Sequence, residues 1–240
     1  MTAIAIVAAL DRELSPLVRD WKPVSFSHNG HDFRAYQHDE VVAIAGGIGG
    51  RAAARAARAV VAQYKPQVLI SAGLAGALLR TLKVGSVFAP NVIIDAATGV
   101  EYRCDTGGGV LVTGGEIAGS QSKQELAQKF HALCVDMEAA AVAEVAQEQR
   151  TGFRCVKAIS DEADFVMPPL NQFVDQDGNF QTGKFVVWTA VRPQYWRRTM
   201  ALARNSRRAS EALCDWLKQH LGDNIQPATV VRIERSVVSR

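Results

Sequence analysis

Three short runs rich in apolar residues constrain this chain more than any other feature: IAIVAA at Ile4–Ala9, VLISA at Val68–Ala72 and FRCVKAI at Phe153–Ile159. None alternates polar and apolar as a strand with one wet face does, so each reads as a parallel strand covered on both sides. Helical segments separate them. Glu13–Trp21 is the first, and Gly49–Gln63, GGRAAARAARAVVAQ, is strongly helical, with Arg51, Arg55 and Arg58 along one side. Gln124–Ala132 and an Ala-rich stretch from Val135 to Gln147 follow. A basic helix then runs from Pro193 to Leu221, closed by Gly222. Further strands are expected at His28–Gln37, Glu40–Ala45, Val87–Ile94 and Val110–Val112. Strands alternating with helices predict an α/β fold: a single domain with a mostly parallel, twisted central sheet flanked by helices. At 240 residues and 48% hydrophobic, the chain is long and apolar enough to build that core.

The domain is expected to span residues 1–222. Residues 223–240, where helical periodicity is weak, read as a loose tail. A net charge of +3 is too mild to imply nucleic acid, and none is expected as a partner. The basic excess is local, because Arg192–Arg240 holds ten Lys/Arg against four Asp/Glu. Cys104, Cys134, Cys155 and Cys214 are far apart and make no CxxC pair. That spacing supports neither zinc ligation nor a disulfide framework and suits a reducing cytoplasm. The opening MTAIAIVAAL has no basic n-region, and its apolar run stops at Asp11-Arg12-Glu13, too short to span a membrane. The five histidines have no ligand-like spacing, so no metal and no cofactor is expected.

In a parallel sheet, ligands sit beyond the carboxyl ends of the strands. That rule selects Glu13 after the first strand, the glycines after Ala45 and Ala72, and Asp161 after Ile159. Each acid has an ordinary explanation. Ser160 and Asp161 both suit a helix cap, Glu138 suits the first turn of a helix, and Glu13 suits a surface. Three acids at three such positions are explained less well by three separate accidents.

VDMEAAAVAEVA, followed about twenty residues later by KAISDEAD, resembles the nucleoside phosphorylase and nucleosidase superfamily. AALDREL, AGGIGGRAAARAA and SAGLAGALLRTLKVGSV match its other segments in order, over roughly residues 3–165. Within it the opening looks most like methylthioadenosine/S-adenosylhomocysteine nucleosidase. The resemblance implies a nucleoside phosphorylase-like fold, a small-molecule nucleoside substrate and a homo-oligomer. It implies hydrolysis of a purine N-glycosidic bond, with Asp161 as the acid that protonates the leaving adenine at N7. Burial at the strand end would keep that acid protonated. Glu138 matches the acid that holds the ribose hydroxyls, Glu13 the base that activates water, and Met137 a contact to the sugar. Ser160 would support the base, and Ile48 and Gly73 fall among the substrate-binding positions.

The departures are also specific. The family's GSAGG or GTAGG loop is GLAGA here, so Leu74 replaces a hydroxyl residue, leaving the attacking water fewer partners. Lys157 stands where the nucleosidases have Arg. The early Gly-Asp-Pro…Arg phosphate segment of hexameric phosphorylases is missing from residues 1–30, which favours hydrolysis over phosphorolysis. A purine nucleoside phosphorylase and a nucleoside-binding protein without turnover remain the alternatives. GSQSKQELAQKFHALCVDMEAAAVA, DEADFVMPPLNQFVDQDGNF and LARNSRRASEAL also resemble the hopanoid-associated branch, which implies a lipid-linked adenosine such as adenosylhopane. Residues 188–208 place Trp188, Tyr195, Trp196 and Met200 among arginines, a composition suited to peripheral membrane contact. The plainer alternative buries both tryptophans against the sheet and leaves the arginines solvated.

Overall fold

The structure, a computed structural model, describes residues 2–105, 107–221 and 230–233. The apolar runs form β1 (Ile4–Ala8), β5 (Val68–Ala77) and β11 (Gly152–Asp161), which lie side by side and pair in parallel. β4 (Val41–Ala45) extends this group on the other side of β1, again in parallel. The remaining strands are β2 (Lys22–His28), β3 (His31–His38), β6 (Val87–Phe88), β7 (Val92–Asp95), β8 (Glu101–Cys104), β9 (Val110–Thr113), β10 (Cys134–Asp136) and β12 (Val230–Ile233). Antiparallel hairpins and edges, β2–β3–β4, β7–β8 and β8–β12, complete a mixed central sheet.

Helices cover both faces: α1 (Asp11–Val18), α2 (Gly50–Tyr64), α3 (Ser120–Phe130), α4 (Ala139–Glu148), α5 (Thr182–Ala190) and α6 (Pro193–His220). α2 and α4 bury alanine-rich faces, and that lack of bulk lets them pack close against the sheet residues Leu69, Ile93 and Phe153. On the other side Leu14, Leu17 and Val18 of α1 meet Leu213, Cys214 and Leu217 of α6 over Ile4, Ile6, Ile70 and Val156. Burying one such Leu stabilises the fold by about 2 kcal/mol.

Several local expectations change. Residues 28–37 are not one strand, because Asn29-Gly30 turns the chain between β2 and β3, both residues at positive φ (49° and 78°). Pro90, which lacks a ladder donor, separates β6 from β7. Val135 belongs to β10, and the helix after it starts only at Ala139. β8 and α5 were not anticipated. Within the segment expected to be loose, Val230–Ile233 pairs antiparallel with Glu101–Cys104. The rest of that segment, with Gly222, lies outside the described residues.

Candidate active site

β5 is the spine of the site, and its two glycines admit charged side chains. A β-carbon on Gly73 would lie 3.2 Å from Glu13 Oε2 and 3.6 Å from Lys157 Nζ. One on Gly76 would lie 2.9 Å from Asp161 Oδ2 and 3.0 Å from Lys123 Cε. The glycines are three residues apart, about 10 Å along a strand. Side-chain alternation separates Gly73 from Leu74. Leu74 packs against the apolar cluster beneath α1 and α6, whereas Ser71, two residues before Gly73, faces Lys157. Leu74 therefore points to the other face of β5 from Ser71.

Beside Gly73, three carboxyls gather around one ammonium. Lys157, 1% exposed, forms an ion pair with Asp136 at 2.8 Å and donates to Ser71 Oγ at 3.1 Å. Asp136 also accepts from Thr113 Oγ1 at 2.7 Å and from the Ala139 N–H at 2.9 Å, which caps α4. Glu138 reaches across to α2, accepting the Gly49 N–H at 2.7 Å, and so completes the amino end of that helix. Glu13 accepts the Ala9 N–H at 3.2 Å. One cation cannot neutralise three acids. Burial, then the Asp136 charge, pushes Glu138 up to about 7 against the pull of Lys157. Burial raises Glu13 as well, again opposed by Lys157. Burial alone would lower Lys157, but the facing Asp136 charge outweighs it and holds the ammonium charged.

Beyond Gly76 lies a second pair. The register between β11 and β5 shifts between Ile159 and Asp161, so that Asp161 rather than Ser160 stands opposite Gly76. Asp161 Oδ1 accepts from Ser160 Oγ at 2.7 Å, and Oδ2 forms an ion pair with Lys123 of α3. Lys123, 1% exposed, donates as well to the Glu162 carbonyl at 2.8 Å. Both Asp161 oxygens are thus engaged, one by a hydroxyl and one by an ammonium.

Ile48 and Met137 line a cavity of ≈ 440 Å³ at the amino ends of α2 and α4, with Thr113, Tyr102 and Glu144 also on its wall. Ile48 is held by its N–H donating to the Gly178 carbonyl at 2.7 Å. The seven expected residues therefore fall into three adjoining places. Glu13, Glu138 and Gly73 surround Lys157, Ser160 and Asp161 meet Lys123, and Ile48 and Met137 face the cavity. Sequence reading missed Lys123, Asp136 and Ser71. Asp136 was visible inside VDME, but a lone lysine 38 residues before Asp161 carries no signal of its own. Among the described residues no group of three or more His, Cys, Asp or Glu is placed to hold a metal ion.

A family model described as the Phosphorylase superfamily matches residues 3–108 and 96–181, which include every one of these groups. The chain belongs to the phosphorylase superfamily. Among relatives of this superfamily member, the 5′-methylthioadenosine/S-adenosylhomocysteine nucleosidase of Staphylococcus epidermidis is 27% identical over 197 residues, covering 67% of this chain and 86% of the relative. The fold matches the Helicobacter pylori nucleosidase of the same name with a TM-score of 0.70 at 15% identity, over 92% of this chain and 97% of that one. The S-adenosylhomocysteine nucleosidase of Streptococcus pyogenes matches at 0.69 and 20% identity, over 93% and 97%. Futalosine hydrolase of Helicobacter pylori matches at 0.69 and 16% identity, over 92% and 97%.

Proposed function

We propose that this protein is a purine nucleosidase that hydrolyses the N-glycosidic bond of a 5′-substituted adenosine and releases adenine. The observation that carries this reading is the placement of Glu13 beside one glycine of β5 and Asp161 beside the other, with Glu138 at the amino end of α2. Leaving-group protonation, ribose binding and water activation need acids in separate places, and the two glycines that admit Glu13 and Asp161 are about 10 Å apart along β5. Asp161 serves the departing base with Ser160 beside it. Glu138 accepts from the ribose hydroxyls, Glu13 takes a proton from the attacking water, and Met137 and Ile48 pack the sugar. Burial raises Glu13, which makes its carboxylate a stronger base toward the attacking water. The nucleosidase relatives support methylthioadenosine or S-adenosylhomocysteine as substrate.

One incubation decides among hydrolysis, phosphorolysis and binding alone. Methylthioadenosine, S-adenosylhomocysteine, adenosine and inosine are supplied with and without phosphate, and free base and ribose 1-phosphate are followed. Adenine with free methylthioribose in the absence of phosphate is the expected result. A strict phosphate requirement would make the protein a phosphorylase, and binding without product would make it a nucleoside-binding protein.

A second reading, a lipid-linked adenosine met at a membrane surface, is favoured by α5 and α6. Val187, Val191, Met200 and Trp196 are 68%, 71%, 63% and 47% exposed, and Lys184, Arg192, Arg197 and Arg198 lie among them in the sequence. Trp188 is not buried against the sheet but packs on Phe173 and Tyr195, with Arg192 4.5 Å over its ring. An apolar patch mixed with cations suits an anionic lipid surface, adenosylhopane being one substrate such a surface would present. Among the described residues no helix is long and apolar enough to cross a membrane. Four buried, unpaired thiols suit the reducing cytoplasm, and the homo-oligomer implied by the resemblance is read by light scattering.

A further inference from the structure

Asp161 faces a supply problem that the proposed mechanism leaves open. Its two oxygens are taken up by Ser160 and, as an ion pair, by Lys123, so a proton passed to the base has to come through a neighbour. Lys123 comes from α3, within the GSQSKQELAQ segment and away from the VDMEAAAVA and ISDEAD motifs, and is sealed at 1% exposure. Its ammonium has two acceptors, Asp161 and the Glu162 carbonyl. The Glu162 carboxylate does not compete for it, being held by Lys83 at 3.2 Å. The two side chains are buried together, so the ammonium is the counter-charge that Asp161 meets in its own site.

We propose that Lys123 is the proton reservoir of the leaving-base site, passing its proton through Asp161 to the purine; this rests on the nucleosidase reading above. A buried ammonium–carboxylate pair holds its proton jointly, one short transfer away from a neutral amine and a neutral acid. As the C1′–N9 bond breaks, its electron pair passes into the purine. Lys123 Nζ passes a proton to Asp161 Oδ2, and Asp161 passes that one proton on to N7. Water bonds to C1′ and gives its proton to Glu13. Adenine leaves neutral, Lys123 is left as an amine and Glu13 as an acid, and solvent restores both when product departs. Lys123 acts through Asp161 and is a positioning residue, not a catalytic one.

The test uses the full chain and two substrates with the same sugar: methylthioadenosine, and the 4-nitrophenyl β-riboside carrying a 5-methylthio group. Nitrophenolate leaves without protonation, whereas adenine does not. Lys123→Met should lose about 10²-fold or more in kcat on methylthioadenosine, the size of a general-acid contribution, and stay within about threefold on the nitrophenyl riboside. Lys123→Arg should fail in the same pattern, because a guanidinium keeps the ion pair but does not give up its proton. Should the Met variant not fold, the Arg variant carries the comparison, with nitrophenyl turnover as its check on folding. Full activity in Lys123→Arg would reduce Lys123 to an electrostatic prop and overturn the proposal, as would equal losses on both substrates. Asp161→Asn separates the two levels. If it is slow while Lys123→Met is normal, only the reservoir fails. If both are normal, or the wild type releases no base, the nucleosidase reading fails and the reservoir with it.

Discussion

Gly76 backs directly onto the Asp161 carboxylate: a β-carbon at position 76 would lie 2.9 Å from Oδ2. Gly76→Ala must therefore move Asp161 and the lysine paired with it. Displacing a reacting group by about 1 Å costs on the order of 10²-fold, so kcat should fall by that order. Overpacking should cost about 1–3 kcal/mol in stability. Gly73→Ala, with 3.2 Å to Glu13, should be milder on both counts. Steady-state rates and urea midpoints of the two variants check the order, and a harmless Gly76→Ala would detach this glycine from the site.

Glu138 makes the fold pH-sensitive in a defined direction. Its carboxyl rises from an ordinary 4.5 to about 7, through burial first and the Asp136 charge second. Between those values the folded state binds more protons than the unfolded one, so stability falls as pH rises across this window. The full shift corresponds to about 3 kcal/mol. Glu138→Gln should flatten most of that slope, while the raised Glu13 leaves a residue of the same sign. Urea midpoints from about pH 4 to about pH 8 measure it. A variant with the wild-type slope would mean that another group is responsible.

The two glutamates should separate by substrate. Glu138→Gln weakens a contact to the ribose hydroxyls, so a 2′-deoxy substrate should lose less than the riboside. Glu13→Gln impairs attack by water and should slow both alike, by roughly 10²-fold. The ratio of kcat/KM losses on the paired substrates is the readout, and equal losses in Glu138→Gln would contradict the ribose assignment.

The exposed face of α5 and α6 should bind anionic vesicles at low salt. Screening over a Debye length of about 8 Å at physiological salt should weaken that binding. Val187→Glu, at a position 68% exposed, should weaken it further while leaving adenine release from a water-soluble substrate unchanged. Co-sedimentation with phosphatidylglycerol vesicles decides. Protein that stays in the supernatant at low salt ends the lipid reading and leaves methylthioadenosine the better substrate.

What the sequence determined by itself is local in origin. An apolar run such as Ile4–Ala8 needs cover on both faces wherever it lies, so β1, β5 and β11 were legible as parallel core strands. Glu13, Glu138 and Asp161 were legible because strand ends and helix starts locate themselves by periodicity, and the VDMEAAAVA and ISDEAD segments resemble a known family. The Asn29-Gly30 turn was written in the chain as well, since both residues tolerate positive φ. The partners of those acids were not. Lys123 meets Asp161 across 38 residues, and Glu138 meets Gly49 across 89, because α3, β11 and α2 converge only when the sheet is assembled. Register decided the rest. One shift after Ile159 brings Asp161 to face Gly76, and alternation along β5 turns Leu74 away from the face of Ser71. A one-residue slip would reverse both, and register is fixed by pairing between strands distant in sequence, which no local pattern encodes.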